Sequence, residues 1–194
     1  MNKDYLLELI RSPKSVFTIN DVALIWEETN LELVKVRMSR YLKAGKMYSI
    51  RKGIYAKDKN YDKYELAIKI YTPAYISFET VLASAGILFQ YYSQIFVASY
   101  LARALTIDNQ VYSYKKLKDS ILTNNLGIEI KDNYSIASTE RAFLDTVYLN
   151  KDYYFDNLNS MNWDKVQEIL PIYGDNKRMI RKIKNYQKSA GEKG

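Results

Sequence analysis

Between Asn30 and Ala56 the spacing of apolar residues changes period, and the change falls on a glycine. Leu31, Val34, Met38, Tyr41 and Leu42 recur at i, i+3, i+7, i+10 and i+11, the single stripe by which an amphipathic helix buries itself. Asn30 is a capping residue at its start, and Gly45 follows Ala44 where a left-handed residue closes a helix. From there the pattern alternates. Met47, Ser49 and Arg51 share one side of an extended segment, with Tyr48 and Ile50 on the other. Lys52-Gly53 then turns the chain into a second strand, Ile54 to Lys57.

The residues before this stretch narrow the architecture further. Tyr5, Leu6, Leu9 and Ile10 give Asn2 to Arg11 a helical spacing that Ser12-Pro13 ends. Val16 to Thr18 is a short β-type segment, Asn20-Asp21 can cap a helix carrying Val22, Ala23, Ile25 and Trp26, and Glu27-Glu28-Thr29 is a polar turn. Three helices followed by a hairpin is the order of a winged helix-turn-helix, whose third helix is the right size for a major groove. Away from its apolar stripe that helix carries Lys35, Arg37, Ser39, Arg40 and Lys43, and the hairpin tip carries Arg51 and Lys52. Glu32 is the one carboxylate among them, so these residues are the expected DNA contacts, to phosphates and guanine edges. The plain alternative for the cations is solvated surface charge.

The charge distribution agrees with a polyanionic partner. Residues 1–60 hold 12 basic and 7 acidic residues, 61–175 hold 10 and 14, and 176–194 hold 7 and 1, within a total of +7. Basic charge at both ends suits a chain whose ends face phosphate while its middle does other work. The chain has no cysteine and no histidine. Disulfides, thiolate nucleophiles and zinc fingers are thereby excluded, together with the commonest general base. No run is long and apolar enough for a membrane span, and no signal peptide is recognisable, so the expectation is a cytoplasmic protein without membrane association.

Asp58 to Tyr64 reads as a linker, placing a DNA-binding domain at 1–60 and a second, acidic and aromatic domain at 61–194. In the second, helices are expected at Tyr64 to Tyr71, Phe78 to Ala85, Thr139 to Leu149 (capped by Ser138), Trp163 to Leu170 (capped by Asn162) and Asp175 to Gln187, with a frayed tail from Lys188 to Gly194. Strands are expected at Ile95 to Ser99, Ala104 to Ile107, Gln110 to Tyr114 and Gly127 to Lys131. The fold class is therefore α/β, in the α+β sense: a winged helix followed by helices around a small sheet.

The succession YLKAGKMYSIRKGIYA, PAYISFETVLASAG, IFVAS and YSIASTERAFLDTVYL, spanning about Thr18 to Leu149, resembles the AbiEi-type antitoxins of bacterial toxin-antitoxin systems. The resemblance implies a winged-helix repressor of its own operon, with an antitoxin domain that counteracts a nucleotidyltransferase toxin encoded beside it. The implied partners are double-stranded DNA, as two copies on inverted repeats of the chain's own promoter, and the cognate toxin. It further implies that Tyr75, Ser77, Glu79, Glu140, Arg141 and Asp145, which match the family's pattern, belong to the antitoxin domain. No cofactor, metal or enzymatic activity is implied.

Other readings are sharper but less supported. Asp108 or Asp119 with Glu129-Ile130-Lys131 imitates a metal-dependent nuclease pattern, although such spacing is common in any lysine-rich strand. A stand-alone repressor could use its acidic domain for dimerisation or ligand sensing, through aromatic clusters such as Phe89-Gln90-Tyr91-Tyr92 and Tyr153-Tyr154-Phe155. Core packing is the simpler account of those clusters. A basic amphipathic membrane helix at Asp175 to Gln187 has little apolar surface to offer, and the glycines never gather into a phosphate cradle.

Overall fold

Asp4 caps the first helix, α1 (Tyr5–Arg11), by accepting from the backbone N–H groups of Leu6 and Leu7, both at 3.1 Å. The computed structural model describes residues 4–191. Asn2 and Lys3 of the expected first helix and the last three residues of the expected frayed tail lie outside the described residues. A short strand, β1 (Val16–Thr18), leads directly into α2 (Ile19–Trp26). The cap of α2 is Thr18 rather than Asn20-Asp21. Thr18 Oγ1 accepts from the Asp21 N–H at 3.1 Å while Asp21 Oδ2 accepts from the Thr18 N–H at 2.9 Å, a reciprocal box that starts the helix earlier.

The third helix, α3 (Leu31–Lys43), is followed by the hairpin strands β2 (Tyr48–Arg51) and β3 (Ile54–Ala56). β3 lies between β1 and β2, antiparallel to both, so the segment before α2 completes a three-stranded sheet with the hairpin. The core under the helices is Leu9, Phe17, Val22, Ala23, Trp26, Val34, Met38 and Met47. Trp26 is its centre: its indole N–H donates to the Tyr5 carbonyl at 2.7 Å, and the rings of Tyr5 and Tyr41 meet it edge-on. Leu31, expected in the buried stripe of α3, is instead 39% exposed, because it occupies the first turn beyond this core.

The chain divides into two units after Ile70. Helix α4 (Lys63–Ile70) is part of the first, since the Ser15 N–H and hydroxyl donate to Glu65 Oε2 at 2.8 and 2.7 Å and Lys69 pairs with Asp21 at 2.9 Å.

The second unit is built on a six-stranded mixed sheet. Its strands are β4 (Ala74–Ile76), β5 (Ile95–Ser99), β6 (Arg103–Ile107), β7 (Gln110–Lys116), β8 (Ile128–Lys131) and β9 (Tyr134–Ala137), in the order β6-β7-β5-β4-β9-β8. β5 and β7 pair in parallel, as do β4 and β9, while the remaining neighbours are antiparallel. The helices are α5 (Glu79–Ser84), α6 (Asp119–Leu122), α7 (Thr139–Leu149), α8 (Trp163–Ile169) and α9 (Lys177–Gly191), with a 3-10 turn at Leu170–Tyr173. Every residue from Glu140 to Val147 is buried, which makes α7 the central helix of this unit. α9 spends its apolar side internally: Met179 and Ile183 are buried, and Arg178 Nη2 donates to the Tyr148 carbonyl at 3.0 Å. No helix among the described residues is long and apolar enough to cross a membrane.

Candidate nucleic-acid interface

Asn30 sets the start of α3 by accepting from the Glu32 and Leu33 N–H groups at 3.0 and 3.3 Å. Its end is set by Gly45 at φ +66°, with the Lys46 N–H donating back to the Tyr41 carbonyl at 2.9 Å. With Val34 and Met38 fully buried, the opposite, outward stripe of the helix is Leu33, Val36, Arg40 and Lys43, at i, i+3, i+7 and i+10. Ser39 is exposed beside it.

The cations named from sequence therefore fall into two groups. Arg40 and Lys43 lie on the outward stripe, in the last helical turn, where the helix dipole also favours positive charge. Arg51 and Lys52 are exposed at the hairpin tip, just beyond the register shift between Ser49 and Arg51. None of these four enters an ion pair among the described residues. Lys35 and Arg37 are differently placed. Lys35 Nζ meets Glu32 Oε1 at 2.6 Å on the exposed surface. Arg37 is half-buried, donating to Glu28 Oε2 at 3.2 Å with its guanidinium 4.1 Å from the centre of the Tyr5 ring. Glu28 was not among the carboxylates expected near this face. Leu33 and Val36 were also missed, although their spacing relative to Arg40 and Lys43 was available in the sequence.

Four of the six motif residues of the second unit form one buried node. Asp145 Oδ2 accepts from Tyr75 Oη at 3.0 Å and Ser77 Oγ at 2.8 Å; its Oδ1 accepts from Tyr173 Oη at 2.7 Å and Arg141 Nε at 3.4 Å. Arg141 uses its remaining donors on the carbonyls of Asn124, Leu126 and Ile121, at 3.3, 2.8 and 2.7 Å, and on Tyr75 Oη at 2.9 Å. All five guanidinium N–H groups are thus engaged. Burial pushes the Asp145 carboxyl up, against the opposing pull of Arg141 and the three hydroxyls, and holds the Tyr75 and Tyr173 phenols well above their usual range. Arg141 and Asp145 expose nothing to solvent, so the node offers no surface to a substrate. It is a clasp that fastens α7 to β4, the 3-10 turn and the loop after α6. Tyr173 carried no signal in the sequence, lying in a short turn far along the chain from its partners.

The other two motif residues stand apart. Glu79 takes both carboxylate oxygens to Lys115 Nζ, at 2.9 and 2.8 Å, and accepts from Tyr153 Oη at 3.3 Å. Glu140 sits in the first turn of α7 with Lys165 at 3.8 Å. The nuclease pattern is not assembled around Asp108, which lies in the β6–β7 turn at one edge of the sheet, with Glu129 and Lys131 on β8 at the other; Asp119, the alternative carboxylate, opens α6. No group of three or more metal-ligating side chains occurs among the described residues. Of the aromatic clusters, Phe155 packs with Phe143 and Tyr186, whereas Phe89, Tyr91 and Tyr154 are 72, 87 and 73% exposed.

No family model matches the chain, and none of the curated proteins matches it.

Proposed function

We propose that the first unit is a winged helix-turn-helix that binds duplex DNA, with α3 in the major groove and the β2–β3 hairpin on the phosphate backbone. The observation that carries this reading is the outward stripe of α3 together with the hairpin tip: Arg40, Lys43, Arg51 and Lys52, all exposed and none paired with a carboxylate among the described residues. Positive charge held on the outside of a helix and a hairpin of one rigid core is what backbone binding requires. The DNA is the chain's own promoter, bound at inverted repeats.

The second role, counteracting a nucleotidyltransferase toxin, rests on the resemblance carried by Tyr75, Ser77, Glu79, Glu140, Arg141 and Asp145. In the reading proposed here these residues build the domain and a partner meets its surface, where Phe89, Tyr91 and Tyr154 stand exposed.

The test is a salt titration of binding to the chain's own upstream DNA beside a scrambled duplex, with wild type and an Arg40→Ala, Lys43→Ala variant. A preference of several orders of magnitude for the upstream duplex, lost in the variant, sustains the repressor reading. Equal and weak binding of both duplexes by wild type overturns it. Co-expression with the neighbouring gene's product, scored by growth, tests the antitoxin role separately.

A further inference from the structure

On the outward side of α3, in its N-terminal half, stand two apolar residues, Leu33 at 46% and Val36 at 47% exposed. They are neither core nor incidental flank. They share one stripe with Arg40 and Lys43, directly opposite the buried Val34 and Met38. Single exposed apolar residues are ordinary, but two neighbouring ones on the outward side of a basic helix define a small apolar contact beside positive charge.

We infer that Leu33 and Val36 read thymine: they pack on the C5-methyl groups of thymines in the major groove, while Arg40, one turn further on, meets a guanine edge or phosphate. This inference rests on the DNA-binding reading above and adds the base class that the site selects. The thymine methyl is the apolar group that base edges present in the major groove, and it is the group an exposed Leu and Val can take from water. A second copy of this chain fits the face poorly. An isologous contact would enclose Arg40 and Lys43 of both copies in one interface, and the carboxylate on this side of the helix, Glu32, is already paired with Lys35. Phosphates flanking a thymine supply the missing countercharge.

The experiment selects duplexes from a randomised library on the full chain and then replaces each thymine of the selected sequence, one position at a time, by deoxyuridine, which removes only the methyl. For wild type, one or two adjacent positions should weaken binding about fourfold each, the factor carried by one buried methylene-sized group. The Leu33→Ala, Val36→Ala variant should bind the thymine duplex more weakly and show no further loss on deoxyuridine. Both positions are half-exposed, and an unchanged unfolding midpoint verifies that the variant is folded. Selection of a sequence whose deoxyuridine forms bind as well as the parent overturns the inference and leaves DNA binding standing. Failure to enrich any duplex overturns the DNA reading itself. A wild-type dimer in sedimentation that the double variant dissolves assigns the face to a second copy and overturns the inference as well.

Discussion

Arg37 Nη1 donates to Glu28 Oε2 at 3.2 Å, in the turn before α3, and the same guanidinium lies 4.1 Å from the centre of the Tyr5 ring in α1. One side chain therefore ties α1, the turn after α2 and α3 together. An isolated exposed pair of this kind stabilises little, but here the charge is half-buried and also covers an aromatic face. Arg37→Ala is expected to lower the stability of the chain by about 1 kcal/mol, read as a shift in denaturant midpoint. Arg40→Ala, exposed and outside any ion pair among the described residues, should stay within about 0.5 kcal/mol of wild type. The reverse order would show that Arg40, not Arg37, is the structural arginine.

Under the proposed DNA-binding function, the same division sets which cations should contact DNA. Arg40→Ala, Lys43→Ala and Arg51→Ala should each flatten the dependence of log affinity on log salt by about one if the lost contact is to phosphate. Loss of a base contact should instead cost roughly 1 to 3 kcal/mol and relax the preference at one position. Lys35→Ala should leave the slope unchanged, because its ammonium is already compensated by Glu32 at 2.6 Å. Equal effects at all four positions, measured by titration at several salt concentrations, would remove the distinction between outward and flanking cations.

How far these features could be read from the chain differs by element. Helix α7 was legible to the residue, because Ser138 caps it and a dense apolar run fills it. The α3–hairpin junction was legible for a similar reason, the coincidence of a helical period, a glycine and an alternation. β9 was missed, since Tyr134–Ala137 is short and gains strand identity only from its neighbours β4 and β8. The cap of α2 was misplaced because Thr18, Asn20 and Asp21 are all capping types, and the reciprocal Thr18–Asp21 pair decides among them. The Arg141–Asp145 pairing was accessible as an i, i+4 spacing. Its closure by Tyr75, Ser77 and Tyr173 depends on sheet order, which no local pattern encodes.

That closure makes a strong expectation for Asp145→Asn. The substitution removes a charge while leaving Arg141 buried with its other bonds intact, and breaking one side of a buried pair costs about 3 to 5 kcal/mol. Equilibrium unfolding followed by the tyrosine-rich second unit should show the loss. Arg141→Met and Asp145→Leu together should recover part of it, since neither charge then remains unpaired. A single variant within about 1 kcal/mol of wild type would mean that the node tolerates an uncompensated arginine, contrary to the closed geometry described here.

Asp21 contributes an acid-side pH dependence to the first unit. Burial raises its carboxyl, but Lys14 Nζ at 2.6 Å, the Thr18 N–H and Lys69 Nζ at 2.9 Å outweigh that and hold it well below the ordinary carboxylate range. A carboxyl depressed in the folded state contributes stability that is fully present above its unfolded value, near 4, and is lost as the pH falls through the folded value. Asp21→Asn keeps an oxygen for the Thr18 cap and loses the charge. Its deficit against wild type should be about 2 kcal/mol at pH 7, constant down to about pH 5, and should shrink steadily below pH 4. Parallel unfolding midpoints at pH 7 and pH 3 would show that the two lysines add nothing.

Gly127 links the clasp to the chain beside it. Its φ is +75°, and a Cβ there would lie 2.8 Å from Ile169 Cδ1 and 3.0 Å from Arg141 Cβ. The Leu126 carbonyl immediately before it accepts from Arg141 Nη1 at 2.8 Å, and its own carbonyl accepts from the Ser138 N–H, also at 2.8 Å. A methyl at this point therefore presses on both the stem of Arg141 and the helix α8 side chain that packs over it. Gly45, at φ +66° with nothing within 4 Å of its Cβ position, is the control for backbone strain alone. Gly45→Ala should cost about 1 kcal/mol, the strain of a left-handed alanine. Gly127→Ala should cost that and an overpacking penalty of about 1 to 3 kcal/mol, and should speed amide exchange of residues 121 to 127 relative to the rest of the second unit. Equal losses for the two alanines, with no change in exchange, would show that Ile169 and Arg141 make room without cost and that the clasp does not depend on the close approach at Gly127.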